Sequence, residues 1–171
     1  MTRSNSMCGQ QQTTADFAGR HHESFRPHVV HFSGHSKRRP DRSFFEELKA
    51  DEPHEGVIVT ARAFARAISA TDDPPLLVLL NSCRSAAQID DLVAQVVPFA
   101  IGMADSIEDA DAINYAAQFY AAVANGQSIN SSHLSGQAAL ELAGLESADL
   151  PTLAWAPDVD PSATILVSPE G

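Results

Sequence analysis

Five consecutive apolar residues, Leu76-Leu77-Val78-Leu79-Leu80, constrain this chain more than any other segment. The run follows Asp72-Asp73-Pro74-Pro75 and ends at Asn81-Ser82. A continuous apolar strand of this kind suits the centre of a parallel sheet, covered on both faces. Parallel strands need crossover connections, so helices are expected between this strand and its neighbours.

The flanking segments fit that frame. His28–Gly34 (HVVHFSG) reads as a short buried strand that opens into a loop at Ser33-Gly34. Residues 36–54 read as a charged loop with a short element near 43–49. Gly56–Val59 is a second short strand. Thr60 is placed to cap a helix through about Ser69, with Phe64 and Ile68 four apart on one face. A helix is expected over 86–96 and a buried strand at Pro98–Met103. Glu108, Asp109 and Asp111 then fall in the first turn of a helix, where the dipole favours acids. The expected buried face of that helix is Ile113, Ala117, Tyr120 and Ala124, and Asn125-Gly126 ends it. Ser128 or Asn130 starts a last helix to about Leu142, and Ala163–Val167 reads as a final strand. The alternation predicts an α/β fold with a mostly parallel sheet flanked by helices. Chemistry in such sheets collects beyond the carboxyl ends of the strands.

A chain of 171 residues is one domain's worth. Residues 1–26 are polar and aperiodic and read as a leader, which assigns the domain to residues 27–171. The formal net charge is −11, which argues against phosphate-based binding of nucleic acid. The charge is divided, with +3 over residues 1–50 and −14 over residues 51–171. The basic excess centres on Lys37, Arg38, Arg39 and Arg42. These residues read as a solvated loop, or as a docking or cleavage-prone loop beside a site. Cys8 and Cys83 alone make no disulfide framework, so a reducing compartment is expected. No secretory h-region and no membrane-length apolar stretch is visible, and the expected location is the cytoplasm.

Two strands end in reactive side chains. The 28–34 strand delivers His35, and the 76–80 strand delivers Cys83 after a short turn. If the two strands are neighbours, both emerge on one edge of the sheet. A free thiol titrates near ~8.5, so a nucleophilic cysteine needs a base or a positive neighbour. An imidazole supplies either and then protonates the leaving amine. Tight turns at Ser33–Ser36 and Ser82-Cys83 can offer backbone N–H groups to an oxyanion. The separation of 48 residues matches caspase-like proteases, whose histidine lies about 50 residues upstream of the cysteine. The local Gln-Ala-Cys-x-Gly signature of caspases is not met. Singly, Cys83 fits a small buried hydrophobe and His35 a loop histidine, in which case their side chains point apart. His28, His31 and His35 lie near one another, but no second cluster has metal-ligand spacing, so no metal and no cofactor is expected.

Three blocks together carry a family resemblance: VVHFSGH at 29–35, LLVLLNSCRSA at 76–86 and VPFAIGMADSIEDADAINYAAQFYAAVANGQSI at 97–129. They resemble the CHAT family, a branch of the caspase–separase–metacaspase clan, and they span about residues 28–143. The resemblance implies a caspase-like sheet and a cysteine endopeptidase with His35 as base and Cys83 as nucleophile. The backbone N–H groups of Ser36 and Cys83 would form the oxyanion hole. It also implies a regulated bacterial role of the defence type, with a protein or peptide substrate and a sensor or activator partner. Three departures stand against the family pattern. Ser36 occupies a position where the family usually has glycine. Asn81 stands where metacaspases place an aspartate that holds a basic P1 residue. The first strand and helix of the caspase-like fold have no counterpart in the polar leader. A basic P1 residue is expected, with Asp105 and Asn81 as candidate substrate contacts. The alternative is an inactive caspase-like module that binds a partner, which Ser36 and the missing first strand favour.

Overall fold

The computed structural model describes residues 27–39, 42–47 and 57–168, with backbone alone over 35–39, 42–47 and 57–61. The leader expected over residues 1–26 lies outside the described residues. In chain order the strands are β1 (Val29–Ser33), β2 (His35–Arg39), β3 (Arg42–Glu47), β4 (Val57–Thr60), β5 (Leu77–Asn81), β6 (Phe99–Met103) and β7 (Pro151–Trp155). The helices are α1 (Ala61–Ser69), α2 (Ala86–Gln95), α3 (Asp109–Ala124) and α4 (Ile129–Leu142), with a 3-10 turn at Glu146–Asp149.

The main sheet has the order β1-β5-β6-β7. Strands β1, β5 and β6 run parallel, and β7 closes one edge antiparallel to β6. The chain therefore has the α/β fold that the strand–helix alternation implies. The apolar run forms β5, and all five of its residues are buried. Its side chains alternate between two cores, as the period of a strand demands. Leu77 and Leu79 join Phe99, Ile101 and Met103 of β6 against α3 and α4. Val78 and Leu80 join Ala100 against Phe64 and Ile68 of α1 and Ile89 and Leu92 of α2. Each fully buried side chain of this size contributes roughly 1.5–3 kcal/mol.

Three expectations require correction, and one strand was not expected. The short element expected near 43–49 is β3, but the residues before it are strand and not loop: β2 and β3 pair as a hairpin, and β3 also pairs with β4. Phe44-Phe45 supplies strand-forming residues. Lys37, Arg38 and Arg39 thus lie on a strand, and residues 48–56 fall outside the described residues.

The buried face of α3 is rotated by about one residue from the expected one. Ala112, Tyr115, Ala116, Phe119, Ala122 and Val123 face inward, while Ile113 is 64% exposed. Tyr115 and Phe119 lie four apart with rings stacked, and two aromatic rings outweigh one isoleucine in apolar area. Tyr120 sits at the boundary, edge-on to Phe119.

Ala163–Val167 is not a strand. Asp160 bends the chain: its Oδ1 accepts from Ser162 N at 2.8 Å, and its carbonyl accepts from Thr164 Oγ1 at 2.8 Å. Such local bonds compete with a ladder. Only Ile165 bridges, to Ser128. This segment instead covers the start of α4, where Ile129 N donates to Thr164 O and Asn130 N to Pro161 O, each at 2.9 Å. Ser128 caps the same helix by accepting from Ser131 N.

The last strand is β7, which the sequence reading did not place. Pro151 at its first residue reads as loop, yet proline is tolerated at the start of an edge strand.

Candidate active site

The carboxyl ends of β1, β5 and β6 lie side by side and run into three connections. Ser33 is in register with Asn81, and Gly34 N donates to Asn81 O at 3.4 Å. His35 and Cys83 each follow that register pair by two residues. Their backbones therefore leave the sheet at one edge from adjacent parallel strands. The turn expected at Ser33–Ser36 is a bend at Gly34, and His35 and Ser36 already belong to β2, opposite Glu46 and Phe45. The side chains of His35 and Ser36 lie outside the described ones.

Cys83 is half-buried, and its thiol donates to Ile107 O at 3.8 Å. The two residues before it are enclosed. Asn81 is 7% exposed, and its Nδ2 donates to Ala112 O at 3.1 Å. Asn81 Oδ1 and Ser82 Oγ are buried with no partner among the described residues. Asn81 thus ties β5 to the first turn of α3.

Arg84 follows with φ at +58°. Its amide donates to Asp105 O at 3.1 Å, and its Nε donates to Asp105 Oδ1 at 2.8 Å. The same carboxylate oxygen accepts from Ser106 N at 2.8 Å. The Arg84 guanidinium and the Ser106 amide hold Asp105 below the usual carboxylate range, and the Asp105 carboxylate raises Arg84. Both side chains are 62% exposed. Asp105 is therefore engaged within the chain, and its Oδ2 has no protein partner among the described residues.

Ser85 anchors the start of α2. It is fully buried, its Oγ donates to Leu80 O at 2.9 Å, and the same oxygen accepts from Met103 N at 2.9 Å. One hydroxyl thus joins β5, β6 and the loop that carries Cys83. Gly102 permits this approach. A Cβ there would lie 2.8 Å from Ala86 N and 2.9 Å from Ser85 C.

The arrangement places a half-buried thiol at a strand end, with a basic side chain next to it and the N-terminus of α2 three residues on. It also brings the backbone of His35 to the same edge. Among the described residues, no three His, Cys, Asp or Glu side chains gather closely enough to hold a metal ion. No described helix is long and apolar enough to cross a membrane. Sequence reasoning missed Ser85 and the Arg84–Asp105 pair. Arginine gives no signal for a positive φ. The only hint was the short distance from Ser82 to the helix at 86. No protein-family model matches the chain, and no curated protein matches it.

Proposed function

We propose that the chain is a cysteine endopeptidase of the CHAT type, with a mostly parallel caspase-like sheet and a His35–Cys83 dyad. The observation that carries this reading is the parallel pairing of β1 with β5 in the register Ser33 to Asn81. It brings the two motif-bearing connections to one sheet edge, as a dyad requires.

In this mechanism the Cys83 thiol passes its proton to the His35 imidazole. The thiolate sulfur then attacks the substrate carbonyl carbon, and the negative charge moves to the carbonyl oxygen. Backbone N–H groups of Ser36 and Cys83 stabilise that oxyanion. The intermediate collapses with cleavage of the C–N bond, and the imidazolium protonates the leaving amine. The resulting thioester is hydrolysed by a water that His35 deprotonates, which returns the thiol and releases the carboxylic acid.

A basic P1 residue fits the surroundings. Residues 51–171 carry a net charge of −14, and Asp105 follows the end of β6 with its Oδ1 paired to Arg84. Asn81, sealed under α3, bears on P1 only through the shape of the loop. The family resemblance adds a cytoplasmic, bacterial, defence-type setting with a protein substrate and a sensor or activator partner. It requires no cofactor, nucleic acid or membrane.

The test is labelling by an arginyl acyloxymethyl ketone peptide, with an aspartyl probe in parallel. Cys83→Ala should abolish labelling. His35→Ala should slow it about 10²–10⁴-fold, the usual share of a general base. Equal labelling of His35→Ala and the parent chain rules out the dyad. An unlabelled but folded parent chain favours the partner-binding module, for which Ser36 in place of glycine is the supporting feature.

A further inference from the structure

We infer that Arg84 and Asp105 form a clamp that positions Cys83, with both acting as positioning residues; the inference rests on the reading of Cys83 as nucleophile. Arg84 is the one non-glycine residue with positive φ among the described residues. An arginine does not settle there by preference, because its Cβ crowds the following carbonyl oxygen. Something must hold it, and three bonds do. The Arg84 amide and Nε both donate to Asp105, and the Ser106 amide fixes the same carboxylate oxygen.

The clamp joins the connection after β5 to the connection after β6. Ser85, next in the chain, is bound to Leu80 O and Met103 N on those same two strands. Cys83 is therefore followed by two residues that are both tied across to β6 or the loop after it. The Cys83 thiol reaches Ile107 O in that loop as well. The chain turns at residue 84, which is exposed, while residue 83 stays half-buried with its sulfur against the loop after β6. Strain held at such a point by surrounding bonds is a common device of functional loops.

An exposed ion pair by itself contributes little to stability. The Arg84–Asp105 pair differs in what it fixes, which is a backbone angle beside the sulfur. Removal of the Asp105 side chain breaks both bonds to Oδ1 and leaves only the Arg84 amide on Asp105 O, so residue 84 should move more readily to negative φ and turn residue 83 out of line. Glycine at position 84 adopts positive φ without any clamp. The two substitutions together should therefore recover what the first one loses.

The experiment compares the parent chain, Asp105→Ala, Arg84→Gly and the double variant, each as the full chain. The probe is the arginyl acyloxymethyl ketone, with the maximal labelling rate separated from the probe concentration at half-maximum. Asp105→Ala should lower the maximal rate about tenfold, equivalent to about 1.4 kcal/mol. The double variant should return to within about threefold of Arg84→Gly, a difference of about 0.65 kcal/mol. Asp105→Ala also removes a candidate P1 contact, but that loss shows in the half-maximal concentration and is not restored by glycine. A change in half-maximal concentration alone, or no recovery in the double variant, overturns the clamp. Amide exchange at residue 84 separates the two levels of the argument. A parent chain that is unlabelled, while exchange at residue 84 accelerates in Asp105→Ala, refutes the nucleophile and with it any positioning role. A labelled parent chain with unchanged rate in Asp105→Ala refutes the clamp alone.

Discussion

Two serines in this fold are equally buried and opposite in consequence. Ser85 and Ser132 are both fully enclosed. Ser85 Oγ joins Leu80 O and Met103 N, each at 2.9 Å, whereas Ser132 Oγ has no partner among the described residues. Replacement by alanine removes one oxygen in each case and changes volume identically. In Ser85→Ala the buried Met103 N–H loses its acceptor and the Leu80 carbonyl loses a donor. An unsatisfied buried group costs about 1–3 kcal/mol, so a loss of about 2–3 kcal/mol is expected. No capping bond is lost with it, because the Ser85 side chain makes none to α2. In Ser132→Ala an unpaired hydroxyl leaves the core, and alanine is the better helix former inside α4. That substitution should be neutral or stabilising by up to about 1 kcal/mol. A kcal/mol moves the melting temperature of a domain this long by about 2–4 °C. The difference of about 2–4 kcal/mol should therefore separate the two melting temperatures by about 4–16 °C, Ser132→Ala being the higher. Differential scanning calorimetry on both proteins at pH 7 measures this. Melting temperatures within about 2 °C of each other would refute the argument that the hydroxyl bridge secures the Cys83 loop.

Two further outcomes are expected. Gly102→Ala places a Cβ under 3.0 Å from the backbone of Ser85 and Ala86 and from Ile89 Cγ2, so α2 must move off β6. Overpacking of this kind costs about 1–3 kcal/mol, and urea denaturation with an unchanged midpoint would contradict it. Burial holds the His133 imidazole down at about 4, and the Tyr115 hydroxyl meets its Nδ1 at 2.7 Å. The folded value lies below the unfolded value of 6.5, so the unfolded chain binds the proton more readily. This contribution is complete above pH 6.5, declines as pH falls from 6.5 towards 4, and totals about 3 kcal/mol. His133→Gln should flatten the urea midpoint across that window, and an unaltered slope in the variant would remove His133 as the cause.

The parts of this fold that were legible in the sequence are those where one local rule had no competitor. The run at 76–80 became β5, α3 stopped at the Asn125-Gly126 signal, and α4 started after the Ser128 cap. The errors arose where two rules competed. Ala163–Val167 has β-branched residues, but Asp160 offered nearer hydrogen bonds and turned the chain first. On α3 two candidate stripes share alanines, and the choice between them rests on what stands opposite. That is a property of β5 and β6, which present Leu77, Leu79, Phe99 and Ile101 to Tyr115 and Phe119.

The site divides in the same way. His35 and Cys83, the residues proposed to carry the chemistry, were visible because each follows a strand. Their common edge needed only the parallel neighbourhood of β1 and β5, and the structure supplies it. The pairings around Cys83 were not legible, because Ser85, Arg84, Asp105 and Gly102 join connections that lie far apart in sequence. Ser85 and Gly102 make one close approach between α2 and β6. Arg84 and Asp105 make a second, nearer the surface. The first is buried and should govern whether the loop forms, so its loss appears as melting temperature. The second is exposed and should govern where residue 83 points once the loop has formed, so its loss appears as rate. A chain in which both kinds of substitution moved only the melting temperature would have a strand connection there and no working elbow.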